Sequence, residues 1–347
     1  MRRPSPDEPS LGRRSAPHGA DFGFREPLTP HLARPGRRRV ALARGYDRVV
    51  AVIAATLYSD AVCPWAYSAN PALRVLEWRY RDQLSWRLVM IGLRETVSEA
   101  AVRVFDAEAS ALRHRTYRDR YGMPFGLVRK ARPAATGRGC RAVVAARVLD
   151  PGSEWRVFRS LQLANFNTAL LLDDDEAIRV ALREAGLDAD RIVAALDSRE
   201  VAEAYEHDRA EARVAAGTAA EAQRKTSTSD GPVRFTAPSV VFEQDGRQLV
   251  AGGWQPLLAY DVLLANLDPT LDRTQAPESP APLLEYFPDG LTTAEVAALL
   301  ADGADPIPNL EDAEQMLLDE VAGGRAARAP LGQDAVWHLV PTSASSL

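Results

Sequence analysis

Cysteine is scarce in this chain: two occur in 347 residues, Cys63 and Cys140. Two thiols cannot staple a small secreted domain, so a disulfide framework is excluded and a reducing, cytoplasmic setting is expected. Lysine is equally rare, with Lys130 and Lys225 standing against 40 arginines. The net charge is −5, which gives no global attraction to nucleic acid or anionic membrane. No run of 18 apolar residues is present, so no membrane-spanning helix is expected. The five histidines show no ligand spacing with cysteines or carboxylates, and no metal site is expected. A glycine-rich phosphate loop and a Ser-His-Asp order are also missing.

What is there is concentrated around Cys63. The apolar run 49–57 reads as a buried strand, and Pro64 suits a first helical turn because it lacks a donor the helix would leave unpaired. Cys63 therefore stands where a strand hands over to a helix, whose positive end favours thiolate over thiol. Trp65 and Tyr67 flank it, and Ser59 and Asp60 precede it; a charged Asp60 would raise the thiol's pKa.

The run Ser59-Asp60-Ala-Val-Cys63-Pro64-Trp65-Ala66-Tyr67 resembles the DsbA family, and within it the FrnE-like thiol–disulfide oxidoreductases, whose usual motif is Cys-Pro-Trp-Cys-Tyr. Thr236-Ala237-Pro238-Ser239 is similar to the family's cis-proline loop, and Gly253-Trp254-Gln255-Pro256 to its turn into the last helix. The resemblance implies a thioredoxin fold of α/β class with a large helical insertion. It implies Cys63 as the nucleophile, Pro64 and Trp65 beside it, and Ala237 and Pro238 as the loop that holds an extended substrate. The departure is Ala66, which occupies the place of the second, resolving cysteine. An intramotif disulfide is impossible, so the thiol that resolves a mixed disulfide must be Cys140, a low-molecular-weight thiol or the substrate. A sister branch resembling kappa-type glutathione transferases and 2-hydroxychromene-2-carboxylate isomerases uses a small thiol without a redox cycle. A binding module without catalysis is the third reading.

Along the chain, residues 1–46 hold seven prolines and read as a disordered Arg/Pro-rich tail. Arg37-Arg38-Arg39 ahead of the apolar run mimics a signal peptide, but Arg44, Asp47 and Arg48 interrupt it. Residues 47–268 read as the thioredoxin domain, with the insertion over about 95–230, where helices are expected at 102–121, 138–149, 154–166, 174–185 and 199–216. One helix is expected from Pro64 to about Tyr80, then a strand over 84–93. Asp245-Gly246 between apolar runs predicts a hairpin. Gln162, Asn165 and Asn167 are candidates to line the groove, the Gly122–Gly126 run to border it, and Lys225, ahead of the cis-proline strand, to meet the carboxylate of a small thiol.

Residues 269–282 read as a proline-rich linker, and 283–347 as a winged-helix-like module, with a Thr292/Glu295 capping box and an Asn309-capped helix before a hairpin. From Leu283 onward there are 2 Arg against 11 Asp and Glu, so this module should repel DNA despite its shape. The expected partners are protein or small-molecule thiols and disulfides, with a homodimer as a further expectation. No cofactor is expected beyond a small thiol as cosubstrate.

Overall fold

The computed structural model describes residues 52–303 and 307–341. The predicted N-terminal tail lies outside the described residues. The described residues all fall within one compact unit.

Strand β1 (Ile53–Ser59) is followed by helices α1 (Pro64–Ser68) and α2 (Asn70–Tyr80), then strand β2 (Leu84–Met90). Where one helix is expected there are two. Pro71 sits in the first turn of α2, where its missing N–H costs nothing, and it cannot continue a helix already running. Strands β1 and β2 pair in parallel, with Leu57 opposite Leu88, as a strand–helix–strand unit requires.

The insertion is helical, as its periodicity predicts. It comprises α3 (Glu99–Arg103), α4 (Ala107–Tyr121), α5 (Gly137–Leu149), α6 (Glu154–Asn167), α7 (Asp175–Glu184), α8 (Ala189–Ala195), α9 (Arg199–Ala212) and α10 (Ala219–Ala222). The expected helix over 102–121 is broken because Asp106 caps α4, its carboxylate accepting from the Ala109 N–H. Gly122 closes α4 with a left-handed φ of 79°, a conformation that favours glycine.

A short pair, β3 (Thr226–Ser227) and β4 (Arg234–Phe235), precedes the hairpin β5 (Ser239–Gln244) and β6 (Arg247–Ala251). Asp245 and Gly246 both have positive φ, which matches the twist of a two-residue hairpin loop. The main sheet has the order β2-β1-β5-β6, and helix α11 (Leu257–Leu267) closes it. Its core joins Leu57, Leu88, Val240 and Phe242 to the insertion through Val143, Val144 and Leu161.

The C-terminal segment runs α12 (Ala281–Tyr286), β7 (Leu291–Thr292), α13 (Thr293–Leu300), α14 (Leu310–Ala322), β8 (Ala326–Leu331) and β9 (Asp334–Leu339). Its antiparallel sheet has the order β7-β9-β8. The capping box is formed in full: Thr292 accepts from the Glu295 N–H while the Glu295 carboxylate accepts from the Thr292 N–H.

This segment is docked, not tethered. Leu283, Phe287, Val296 and Trp337 share a core cluster with Val75 and Trp78 of α2. Glu295 is fully buried and receives two hydrogen bonds from the Arg159 guanidinium of α6, at 2.7 and 2.8 Å. Arg159 also donates to the Gly290 carbonyl at 2.8 Å. Burial alone would raise the Glu295 pKa, but the charge and hydrogen bonds of Arg159, with the charge of Arg74, bring it down to about 2.

Candidate functional site: a buried thiol beside a cis proline

The C-terminal end of β1 delivers Asp60 and then Cys63. The Asp60 carboxylate accepts from the Val62 N–H at 2.9 Å, and the Asp60 carbonyl accepts from the Cys63 N–H at 3.2 Å. This turn sets Cys63 as the cap of α1, with its carbonyl accepting from the Tyr67 N–H at 3.0 Å. The Ala237–Pro238 peptide is cis, and it meets the motif directly: the Cys63 thiol donates to the Ala237 carbonyl at 3.2 Å. Five of the expected site residues, Cys63, Pro64, Trp65, Ala237 and Pro238, are therefore gathered in one place.

The expectation that helix polarity would ionise Cys63 is corrected by its burial. The residue is 6 % exposed, in a cluster with Ala66, Phe235, Ala237 and Val241. Desolvation pushes the thiol up to about 12, and Asp60 adds to the rise. The Ala66 and Trp65 N–H groups and the charge of Arg234 act in the opposite direction. The helix start does favour thiolate, but α1 is five residues long and its pull is outweighed. At rest the sulfur is a protonated hydrogen-bond donor.

Ala66 is 2 % exposed and packs in the same cluster as Cys63, so a methyl group stands where the resemblance places a second sulfur. Cys140 is fully buried near the start of α5 and donates to the Asp60 carboxylate at 3.5 Å. Both cysteines are free. They have different partners, a backbone carbonyl for Cys63 and a carboxylate for Cys140. Burial, then the Asp60 charge, raises Cys140 far above the usual thiol range. Burial also raises the Asp60 carboxyl, against the Leu93 and Val62 N–H groups that hold it.

Trp65 is 40 % exposed and lies against Tyr117 and Tyr121 of α4, with ring centroids 5.2 and 5.7 Å away. Tyr121 in turn meets Trp254 at 4.8 Å. Tyr67 is core: it stacks on Phe166 at 4.7 Å and meets Phe125 edge-on. Gln162, Asn165 and Asn167 do not line an open groove. All three are buried, and they serve Asn70, Lys130 and Tyr67 as internal hydrogen-bond partners. They face inward because α6 is covered on that side by the Gly122–Gly126 run, whose Met123 and Phe125 are buried with Phe166. Lys225 is exposed, and its carbonyl accepts from Thr236 just ahead of the cis proline.

Three contributors were not singled out from the sequence. Arg234 is buried, held by Asp230 at 2.8 Å, and its charge reaches the sulfur. Tyr117 and Tyr121 stand four apart on one helix, a spacing that places both on one face and could have flagged them. Among the described residues no cluster of His, Cys, Asp and Glu could hold a metal, and no helix is long and apolar enough to cross a membrane.

The geometry agrees with comparison to known families. Residues 55–217 match the DSBA-like thioredoxin domain. Residues 55–217 are thus a DsbA-like thioredoxin domain, of a family whose members are thiol–disulfide oxidoreductases, and the fold is the DsbA-type thioredoxin fold. Among solved structures it is similar to a probable DsbA oxidoreductase from Streptomyces coelicolor, at 19% identity over 63% of this chain and 91% of that one, TM-score 0.47. It is similar to the cytosolic disulfide reductase DsbM from Pseudomonas aeruginosa, at 20% identity over 57% of this chain and 88% of that one, TM-score 0.43. A third is the oxidoreductase DsbA from Xylella fastidiosa, at 17% identity over 62% and 86%, TM-score 0.35. No curated protein matches.

Proposed function

We propose that this protein is a thiol–disulfide exchange enzyme of FrnE-like type that works through one cysteine. The observation that carries the reading is the Cys63 thiol held 3.2 Å from the Ala237 carbonyl beside a cis proline, with Ala66 in the resolving position. An extended substrate that pairs its own N–H with the Ala237 carbonyl competes for the acceptor that now holds the thiol. The freed Cys63 gives its proton to water, and the thiolate attacks one sulfur of a substrate disulfide. A Cys63–substrate bond forms, the substrate S–S bond breaks, and the other sulfur leaves as thiolate. An external thiol, as its thiolate, then attacks the substrate sulfur of the adduct and returns Cys63. Cys63 ends each cycle unchanged, so the net reaction is exchange between external thiol and disulfide.

Cys140 does not enter this scheme, because it is fully buried and engaged with Asp60. Intact-mass analysis after incubation with a small disulfide tests the proposal. One adduct is expected on the native chain and on Cys140→Ser, and none on Cys63→Ser. An unmodified native chain under these conditions overturns it.

A second reading is favoured by the high thiol pKa. A sulfur that stays protonated can donate a hydrogen bond to a bound small thiolate, as a hydroxyl would, in a transferase- or isomerase-like enzyme without redox. Turnover that survives Cys63→Ser selects it. We place the protein in the cytoplasm, since its two cysteines are free and neither has a partner sulfur. The order of α12 to β9 supports a winged-helix-like module, whose excess of acidic residues favours a protein-contact role over DNA. Self-association as a homodimer is read by sedimentation.

A further inference from the structure

We propose that the site selects aromatic disulfides that carry an anionic group, and that it reads both features outside the thiol itself. The inference takes its chemistry from the exchange reading, but its recognition elements stand independently of it.

Four rings form a continuous wall on one side of the sulfur. Trp65 contacts Tyr117 and Tyr121, and Tyr121 contacts Trp254, with centroid separations of 5.2, 5.7 and 4.8 Å. Tyr117 is raised first by burial and then by the charge of an ionised Cys63, which places it within electrostatic reach of the sulfur. Three separate elements supply this wall: α1, α4 and the turn after β6. Trp254 is fixed by its indole N–H, which donates to the Ser68 carbonyl at 3.4 Å. The rings are therefore held in place before any substrate arrives, with Trp65 open to solvent. Such a wall offers stacking and edge contacts to a planar ligand.

Two cations rim it. The Arg120 guanidinium lies 5.3 Å from the centre of the Tyr121 ring. The stem of Lys225 runs across the Gly252-Gly253 backbone, next to Trp254: a Cβ built on Gly253 would lie 3.0 Å from Lys225 Cδ. Among the described residues neither cation has an ion-pair partner, although most of the described arginines do. Unpaired cations beside an aromatic wall complement a carboxylate on an aryl ring. A neutral aliphatic disulfide would use neither feature, and a cationic one would be repelled.

The exchange step is the one given above, with an aryl thiolate as leaving group and an external thiol as the reductant that completes the cycle. Rate constants for the full chain would be measured with dithiobis(nitrobenzoate), dithiodipyridine and dithiodiglycolate at one mildly alkaline pH. Each is divided by the constant for mercaptoethanol with the same disulfide. Dithiobis(nitrobenzoate) joins ring and carboxylate, and the other two carry one feature each. Its normalised constant is expected to exceed both others by about tenfold. The paired substitution Arg120→Met and Lys225→Met, both on the surface, should remove the part due to charge and leave dithiodipyridine unchanged. Equal normalised constants for all three, or an equal loss on all three in the variant, overturn the proposal. If none of the disulfides reacts, the exchange reading falls, and the site is decided by binding alone. Saturable quenching of tryptophan fluorescence by nitrobenzoate in Cys63→Ser, lost with Lys225→Met, upholds it; no saturable quenching refutes it.

Discussion

Replacing Glu295 by Ala should be among the most damaging single changes in this protein, although the residue lies far along the chain from the thiol. Its side chain is fully buried, and Arg159, 5 % exposed, depends on it for both of its carboxylate hydrogen bonds. Arg74 Nε lies 3.7 Å away and adds charge but no ideal bond. Removing one partner of a buried pair leaves the other charge unpaired, at a cost of about 3–5 kcal/mol. The depression of the Glu295 pKa from 4.5 to about 2, caused mainly by the same Arg159, points the same way. It corresponds to roughly 3 kcal/mol of preference for the ionised form in the folded state. Loss of the carboxylate's bond to the Thr292 N–H, half of the capping box, adds to this. For a domain of this size, ~4 kcal/mol lowers Tm by about 10 °C. Calorimetry and urea unfolding of the full chain read it. The double variant Arg159→Met with Glu295→Met supplies the control, because replacing both charges with apolar groups should recover most of the loss. A Glu295→Ala chain within about 1 kcal/mol of the native one, or a double variant no better than the single one, refutes the argument.

Three further outcomes follow from the same structure. Ala66→Cys should form an intramotif disulfide with Cys63 under mild oxidation, read as two of its three thiols lost on titration of the denatured chain with an alkylating reagent; three free thiols would show that the α1 turn does not bring the positions together. With a thiol pKa of about 12, alkylation of Cys63 should rise about tenfold per pH unit through neutrality, and a plateau below about pH 8 would contradict the burial argument. The lowered pKa of Glu295 contributes stability that is fully present above its ordinary value of 4.5 and is lost as pH falls toward 2. Acid unfolding in that window should therefore be blunted in the double methionine variant, and an unchanged acid midpoint would count against the clamp.

How much of this could be read from the sequence depends on how local each feature is. The hairpin at Asp245-Gly246 and the capping box at Thr292 and Glu295 are set by residues a few positions apart, and both formed as the pattern predicts. The cis Ala237–Pro238 peptide and its meeting with Cys63 were legible only through family resemblance, since 174 positions separate the sulfur from its acceptor. The protonated state of Cys63 was legible only in the rise expected from a charged Asp60. Helix polarity acts from adjacent residues, while the burial that overrules it comes from Phe235, Ala237 and Val241. The second duty of Glu295 was hidden in the same way: the capping box is four residues long, but Arg159 is 136 positions distant. Gln162, Asn165 and Asn167 looked like groove residues because they are polar. A buried helix face can keep polar groups when neighbouring elements supply hydrogen-bond partners, as Asn70, Lys130 and Tyr67 do here.

The Arg159–Glu295 pair also bears on where this polypeptide can be cut. A proline-rich stretch before Leu283 invites truncation there, yet a shortened chain would carry a stranded guanidinium on α6 and bare Val75 and Trp78 on α2. Such a fragment should clump on expression. The smallest portion worth producing for crystals or assays is one that runs through β9.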